Sequence, residues 1–417
     1  MEYDDFLDES YEPTEDNLVC AFRLVPGAGL SAADAAARVA SESSNGTWAA
    51  LSPDSDVRRY SATAFDISGV GEHGFDVRVA YPLELFEEGS LPQILSCIAG
   101  NILGMKAVET IRLLDCAWPE ALVQSFPGPQ FGSGVRSELL DAADRPPLAT
   151  VPKPKVGLST AEHAQVGYEA WVGGVDLLKD DENLTDQSFN PFEQRVVESL
   201  EARDRAEDET GERKEYLINI TAETDEMVRR AEFVADHGGS FVMVDIVTAG
   251  WSALQTVRRR TEDLGVAIHA HRAMHAAFDR LPQHGVSMRC LAQFARLAGV
   301  DHIHTGTAGL GKLENEDTAG INAWLRSDLY GLNDVLPVAS GGLHPGIVDQ
   351  LLDALGPDIM VQAGGGIHGH PDGTEAGARA LRASVEAYRD GESLQSRAKS
   401  VPELETALDA WGTEGPR

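Results

Sequence analysis

From residue 149 onward, short apolar runs recur along the chain, each followed by enough amphipathic or polar sequence for one helix. The runs fall at 149–151, 173–177, 215–220, 241–245, 266–271, 302–305, 335–339 and 359–363. Helical patterns such as 225–237 and 345–355 lie between them. Eight strand–helix units predict a (β/α)8 TIM barrel, with an open doubly wound sheet as the rival on periodicity alone.

The first part of the chain has a different rhythm. Residues 18–25 alternate like a strand, and 31–41 read as a helix capped by Ser31. Strands are predicted at 58–67, 74–82 and 108–114, and a helix at 92–98. The glycine- and proline-bearing stretch 125–134 reads as a boundary. The expected organisation is therefore an α/β chain: a smaller α+β domain over 1–128, then the catalytic barrel and a C-terminal tail over 129–417.

Polar groups at the strand ends favour the barrel. Lys153 and Lys155 follow the first barrel strand, and Lys179, Asp181 and Glu182 the second. Asn219 and Asp245 close the third and fourth. His269 and His271 end the fifth, His302 and His304 lie in the sixth, and Ser340 follows the seventh. Gly364, Gly365 and Gly366 follow the eighth. Barrels place active sites at the C-terminal ends of their strands, where such groups converge on one small ligand.

Composition narrows the partners. The chain has 67 acidic and 34 basic residues, a formal net charge of -33, which disfavours nucleic acid and anionic membranes. Arginine outnumbers lysine 27 to 7, and the acidity is spread over nearly all segments, as expected of a surface adapted to high salt. The acidic start, residues 1–14, has no signal-peptide or anchor pattern, and no apolar run reaches transmembrane length. The four cysteines lie far apart without C-x-x-C, so free thiols in a reducing, cytoplasmic compartment are expected.

Against this background the seven lysines stand out, because four of them fall in chemically loaded segments. Lys179-Asp180-Asp181-Glu182 emerges from an apolar strand, and its carboxylates suit a hard cation such as Mg2+. An unmodified ammonium there would oppose the metal. Lys179 must neutralise the acids, form a Schiff base, or become an oxygen ligand by carbamylation; an acidic surface turn is the bland alternative. The pairs His269/His271 and His302/His304 raise a zinc cluster as a minor alternative. The stronger reading has His271 and His304 touching substrate or moving protons, while His269, His275 and His302 pack or satisfy hydrogen bonds. Arg272 suits a phosphate or carboxylate. The glycine runs after Ser340 and Ala363 suit phosphate, so Arg272 on the far side implies an elongated bisphosphate. Residues 307–314 have the composition of a closing lid around Lys312.

These segments resemble the large subunit of ribulose-1,5-bisphosphate carboxylase/oxygenase (RuBisCO) over essentially the whole chain. The resemblance rests on G-G-V-D-L-L-K-D-D-E-N at 173–183, K-P-K-V-G-L-S at 153–159 and H-R-A-M-H at 271–275. It extends to D-H-I-H-T-G-T at 301–307, A-S-G-G-L-H at 339–344, E-S-S-N-G-T-W at 42–48, Y-P-L-E-L-F-E at 81–87 and G-N-I-L-G at 100–104. Acidity and a short tail look like the archaeal, form III-like enzyme of a salt-loving organism, a group associated with nucleotide or pentose salvage.

The resemblance implies that CO2 carbamylates Lys179, which then binds Mg2+ with Asp181 and Glu182. It implies addition of CO2 to ribulose 1,5-bisphosphate to give two 3-phosphoglycerates, with O2 competing. Lys153, Lys179, His271 and Lys312 would be catalytic, and Lys155 would support the metal end. One phosphate would be held by Thr47, Trp48, Gly342, Gly364, Gly365 and Lys312, the other by Arg272, His304 and Ser340, and Gly341 would also bind substrate. Glu42, Thr47, Trp48 and Asn101 would reach the site from a partner subunit, so a homodimer is the minimum active unit. Rings of dimers such as a decamer are compatible, and no small subunit is expected. Negative charge around Lys179 is expected to disfavour its neutral amine. Two departures stand out: the segment before Lys312 is one residue longer than the family's T-V-V-G-K, and Val151-Pro152 stand where it carries Thr-Ile. A RuBisCO-like enolase or isomerase and a Schiff-base aldolase barrel are the rivals; the former needs no Lys312, the latter no adjacent metal carboxylates.

Overall fold

A computed structural model describes residues 1–49, 56–311 and 317–415. The chain forms two compact units. One comprises Met1–Gly128, Met274–Ala298 and Asp328–Leu332, the other Pro129–Ala273, Gly299–Ser327 and Asn333–Arg417.

The first unit is built on β1 (Asn17–Pro26), β2 (Thr63–Gly69), β3 (Phe75–Pro82) and β4 (Val108–Ala117). Its sheet runs β10-β4-β1-β3-β2, where β10 (Gly285–Val286) adds a parallel edge to β4. Leu18, Cys20, Phe22 and Leu24 alternate along β1 and are fully buried, as a period of two predicts. Helix Ala32–Glu42 begins at Ser31, whose hydroxyl accepts from Asp34 N while Asp34 reaches back to Ser31 N. That reciprocal cap fixes the start read from the sequence. The strand expected at 58–67 begins late: the polar Arg58–Tyr60 forms a 3-10 turn before β2. All four cysteines are free, and Cys20, Cys116 and Cys290 are buried.

The second unit is a closed parallel barrel of β5 (Leu148–Thr150), β6 (Leu177–Lys179), β7 (Glu215–Asn219), β8 (Phe241–Asp245), β9 (Ala267–His271), β11 (His302–His304), β12 (Leu336–Ser340) and β13 (Met360–Gln362). The expected α+β-plus-barrel class is the observed one. Ala149, Leu177, Leu217, Phe241, Ala267, Leu336, Val338 and Met360 form one buried cluster with Val135, Leu140 and Ala142. Burying each large aliphatic side chain contributes about 1.5–3 kcal/mol, so this cluster anchors the strands whose far ends carry the polar groups. A second cluster, including Leu148, Val361, Leu351 and Leu381, joins strands to surrounding helices.

The second barrel strand differs from the sequence expectation at 173–177. Gly173 caps helix Thr160–Val172, and Gly174 sits at φ +105°, a conformation side-chain-bearing residues rarely adopt. These glycines therefore make the turn. Asp176 is held by Arg145 through two 2.6 Å bonds and accepts from Leu148 N at 2.7 Å. Strand β6 starts only after that anchor, so Lys179 is its last residue and is buried at the strand's C-terminal end. Among the described residues no helix is long and apolar enough to cross a membrane.

Candidate active site

Three strand ends supply the reactive cluster. Lys179 closes β6 with 1% exposure, and its Nζ donates to the Asp180 carbonyl at 2.7 Å. Burial lowers its pKa more than Glu182, Asp245, Asp181 and Asp180 raise it. The acids oppose the neutral amine as expected, but desolvation outweighs them.

The acids that follow Lys179 divide by direction. Asp180 is fully buried, with Oδ2 accepting from Asn219 N at 2.9 Å and lying 3.3 Å from Arg195 Nε. Its Oδ1 accepts from the Tyr216 hydroxyl and faces His163 Nε2 at 3.3 Å. Burial pushes the Asp180 carboxyl up, but Arg195 and His163 more than offset it, lowering the pKa to about 2. Asp181 instead presents Oδ2 to Lys153 Nζ at 3.5 Å, while Oδ1 accepts from Asn183 N and Nδ2 at 3.1 and 3.0 Å. Glu182 lies 3.6 Å from His271 Nε2.

Lys153 follows β5, is about one-third exposed, and is held below the ordinary lysine range by burial against the opposing pull of Asp181. A Cβ on Gly364 would lie 3.0 Å from Lys153 Cε, so the glycine leaves room for the amine's stem. On β9, His271 Nδ1 is 2.7 Å from Asp245 Oδ1. A carboxylate only accepts, so this contact puts the proton on Nδ1 and leaves Nε2 a bare base. Burial and Lys179 lower the His271 pKa, keeping the ring neutral near pH 7. His304 Nδ1 is 2.6 Å from Ser340 Oγ, and Arg272 is buried beyond the end of β9. Gly341 and Gly342 have φ of +109° and +87°, positions that favour residues without a side chain.

The structure thus brings Lys153, Lys179, Asp181, Glu182 and His271 together, with His304 and Ser340 as a second pair. Lys155 is exposed and bears on Lys153 and Glu182 through charge alone. Thr150, just before Val151-Pro152, donates to Ala363 O at 2.7 Å and is fully buried. In the first unit Asn101 Nδ2 donates to Glu42 Oε1 at 3.2 Å, Thr47 is partly exposed and Trp48 is 85% exposed. Lys312 and the core of the expected lid lie outside the described residues. His269 and His302 bond to other histidines, and His275 to Asp279 at 2.7 Å.

Two features escaped the sequence reading. One is the cage of Arg195, His163 and Tyr216 that turns Asp180 away from its neighbours. The other is Asp245 as the partner of His271, although their adjacency follows once β8 and β9 are aligned, since they pair in register.

Among the described residues no three His, Cys, Asp or Glu side chains are arranged to hold a metal. Asp181 and Glu182 offer hard oxygens, and a buried lysine with a depressed pKa lies beside them. A Mg2+ site fits these residues when a carbamate formed on the Lys179 amine supplies the third oxygen.

Fold and site together define a parallel-barrel enzyme with a buried lysine between metal-type carboxylates. The ribulose bisphosphate carboxylase large-chain catalytic domain matches residues 134–411, and the N-terminal domain of that large chain matches residues 5–122. The chain therefore belongs to the RuBisCO large-chain family, among its archaeal members. A ribulose bisphosphate carboxylase from Pyrococcus abyssi is 53% identical over 100% of this chain and 98% of its own. The octameric RuBisCO of Pyrococcus horikoshii superposes with a TM-score of 0.95 at 52% identity, covering 99% of this chain and 97% of the other. A dimeric archaeal RuBisCO from Hyperthermus butylicus gives 0.93 at 47% identity, covering 99% of each.

Proposed function

We propose that the chain is a ribulose-bisphosphate carboxylase, adding CO2 and water to ribulose 1,5-bisphosphate to give two 3-phosphoglycerates, with O2 as a competing substrate. The observation that carries this reading is the buried, pKa-lowered Lys179 beside Asp181, Glu182 and Lys153 in one barrel mouth, in a chain of this family. When bound, Mg2+ on Asp181, Glu182 and a CO2-carbamylated Lys179 supplies a Lewis acid and an oxygen base. The depressed pKa of Lys179 favours the neutral amine that captures CO2.

The chain's own residues do the rest. His271, fixed by Asp245, offers Nε2 as a proton acceptor toward the substrate's hydroxyls. Lys153, easier to deprotonate than a free lysine, returns a proton to the carbanion left by carbon–carbon cleavage. Lys155 supports the metal end by charge. Arg272, His304, Ser340 and Gly341 hold one phosphate; Gly342, Gly364, Gly365, Thr47, Trp48 and Lys312 hold the other. Lys312 steadies the carboxylate formed from CO2.

Glu42, Thr47, Trp48 and Asn101, on the 1–128 domain, serve the site of a second copy, so the homodimer is the smallest active unit. Activity that survives dilution to monomer contradicts this. No small subunit is required, and larger assemblies are compatible. The surplus of acid over base extends the reading to a salt-adapted archaeal enzyme; equal stability in low and molar salt removes that extension. The test of the function is incubation with ribulose 1,5-bisphosphate, Mg2+ and labelled CO2. Label in 3-phosphoglycerate supports it, and its absence under carbamylating conditions overturns it.

A further inference from the structure

Behind Ser340 lies a row of three buried imidazoles. His269 on β9 and His302 on β11 are register partners, and His304 lies two residues further along β11. His302 and His269 are wholly buried, and His304 is 3% exposed. Their ring nitrogens meet end to end. His302 Nδ1 is 3.4 Å from His269 Nδ1, His269 Nε2 is 2.8 Å from His304 Nε2, and His304 Nδ1 is 2.6 Å from Ser340 Oγ. Burial lowers the pKa of all three, that of His302 to about 3, so each ring is neutral near pH 7 and carries one hydrogen.

One hydrogen per ring leaves two self-consistent patterns. If His269 carries it on Nδ1, His302 must carry its own on Nε2, His304 on Nε2, and Ser340 donates inward. If His269 carries it on Nε2, His302 and His304 carry theirs on Nδ1, and Ser340 accepts. The free end of the row distinguishes them. Among the described residues His302 Nε2 is buried without a hydrogen-bond partner, and its ring stacks on Phe241 at 27°, which directs the nitrogen's edge away from the aromatic face. The first pattern strands an N–H there; the second leaves only a lone pair. Orphaned buried donors are the rarer of the two in proteins.

We infer that the row is polarised outward, His302 Nδ1–H to His269, His269 Nε2–H to His304 and His304 Nδ1–H to Ser340, so that the serine hydroxyl is kept as a donor toward the ligand. His302 and His269 are then positioning residues, acting on substrate through His304 and Ser340. An outward row also points its N–H dipoles at the mouth, where a bisphosphate brings negative charge. The consequence for substrate rests on the proposed carboxylase function; the hydrogen pattern does not.

Neutron diffraction from crystals of the deuterated, unliganded full-length protein near pH 7 reads the pattern directly. Deuterium on His302 Nδ1, His269 Nε2 and His304 Nδ1 is expected, and deuterium on His302 Nε2 overturns the inference. A kinetic cycle reads its consequence. His302→Phe and Ser340→Ala should each raise KM for ribulose 1,5-bisphosphate by about 2- to 10-fold, the scale of one hydrogen bond, with kcat changed less. The double variant should be no worse than the poorer single one, and His302→Gln, which can donate again, should recover much of the loss. Independent, multiplying effects, or a Gln variant as poor as Phe, overturn the coupling. If His302→Phe does not fold, the Gln variant and the neutron pattern still decide. Absence of carboxylation would remove the functional reading and leave the deuterium positions to stand or fall alone.

Discussion

Asp180 and Asp181 are neighbours with the same side chain, yet they belong to two different regions of the barrel. Asp180 points into its wall, where Arg195, His163, Tyr216 and Asn219 N occupy its oxygens. Asp176 with Arg145 is held in the same manner near the opposite strand ends. Asp181 points into the mouth, where Lys153 stands off at 3.5 Å and Lys179, shielded from solvent, donates to the Asp180 backbone carbonyl. Both oxygens of each wall carboxylate face a hydrogen-bond donor, whereas the mouth carboxylates face groups that chemistry can use. Removing a wall charge should therefore cost stability, and removing a mouth charge should cost chemistry.

The largest effect is expected at Lys179. Lys179→Ala should lower carboxylation by about a thousandfold or more, the scale of losing a positioned general base. Its thermal midpoint should stay within a few degrees of the parent, because a desolvated amine contributes little net stability. Unfolding of this variant would place Lys179 with the wall. Next comes the paired comparison of Asp180→Asn with Asp181→Asn. The first breaks a buried ion pair and should cost about 3–5 kcal/mol in denaturant unfolding. The second should leave stability within about 1 kcal/mol and abolish turnover. Equal stability losses would erase the distinction between wall and mouth.

The sequence made this division only half visible. The eight strands were legible because apolar runs and helix patterns alternate, and Ser31 carried its own capping signal. Strand β6 was misplaced by its apolar neighbours: Gly173 and Gly174 look like strand padding until the positive φ at Gly174 is seen. Lysine scarcity and strand-end position exposed Lys153 and Lys179, while the direction of each acid in K-D-D-E was hidden. That direction depends on Arg195, His163 and Tyr216, which lie at separations where no local pattern links them. The net lowering of the Lys179 pKa was hidden too: the adjacent acids are legible in the sequence, but the burial that outweighs them comes from the folded barrel.

Acid should reveal the wall before it is mutated. Asp180 has a folded pKa of about 2, below its unfolded value near 4. A depressed carboxyl contributes stability that is fully present above the unfolded pKa and lost as pH falls through the folded one. Between about pH 5 and 1 this should amount to about 2–3 kcal/mol. Buried His302, at about 3, adds a loss that begins higher, because the unfolded chain takes up that proton below about pH 6.5. Denaturant unfolding at stepped pH should show both, with Asp180→Asn flattening the lower window alone. An unchanged lower window in that variant would count against the assigned partners.

The smallest effect is the most local. Gly364 has φ -104°, open to alanine, so Gly364→Ala tests space more than backbone freedom. The new Cβ would come within 3.0 Å of Lys153 Cε, the far part of a flexible side chain that can yield by a few tenths of an ångström. Stability should change by no more than about 0.5 kcal/mol. The displaced amine should lose its approach to Asp181, and kcat should fall several-fold, to about the tenfold that 1.4 kcal/mol represents. A rise in KM for the bisphosphate at constant kcat would show that the phosphate contact of Gly364 outweighs the room it leaves for Lys153. A fall in kcat at constant KM places its importance in the room it leaves for Lys153, and shows that the mouth depends on geometry finer than the wall needs.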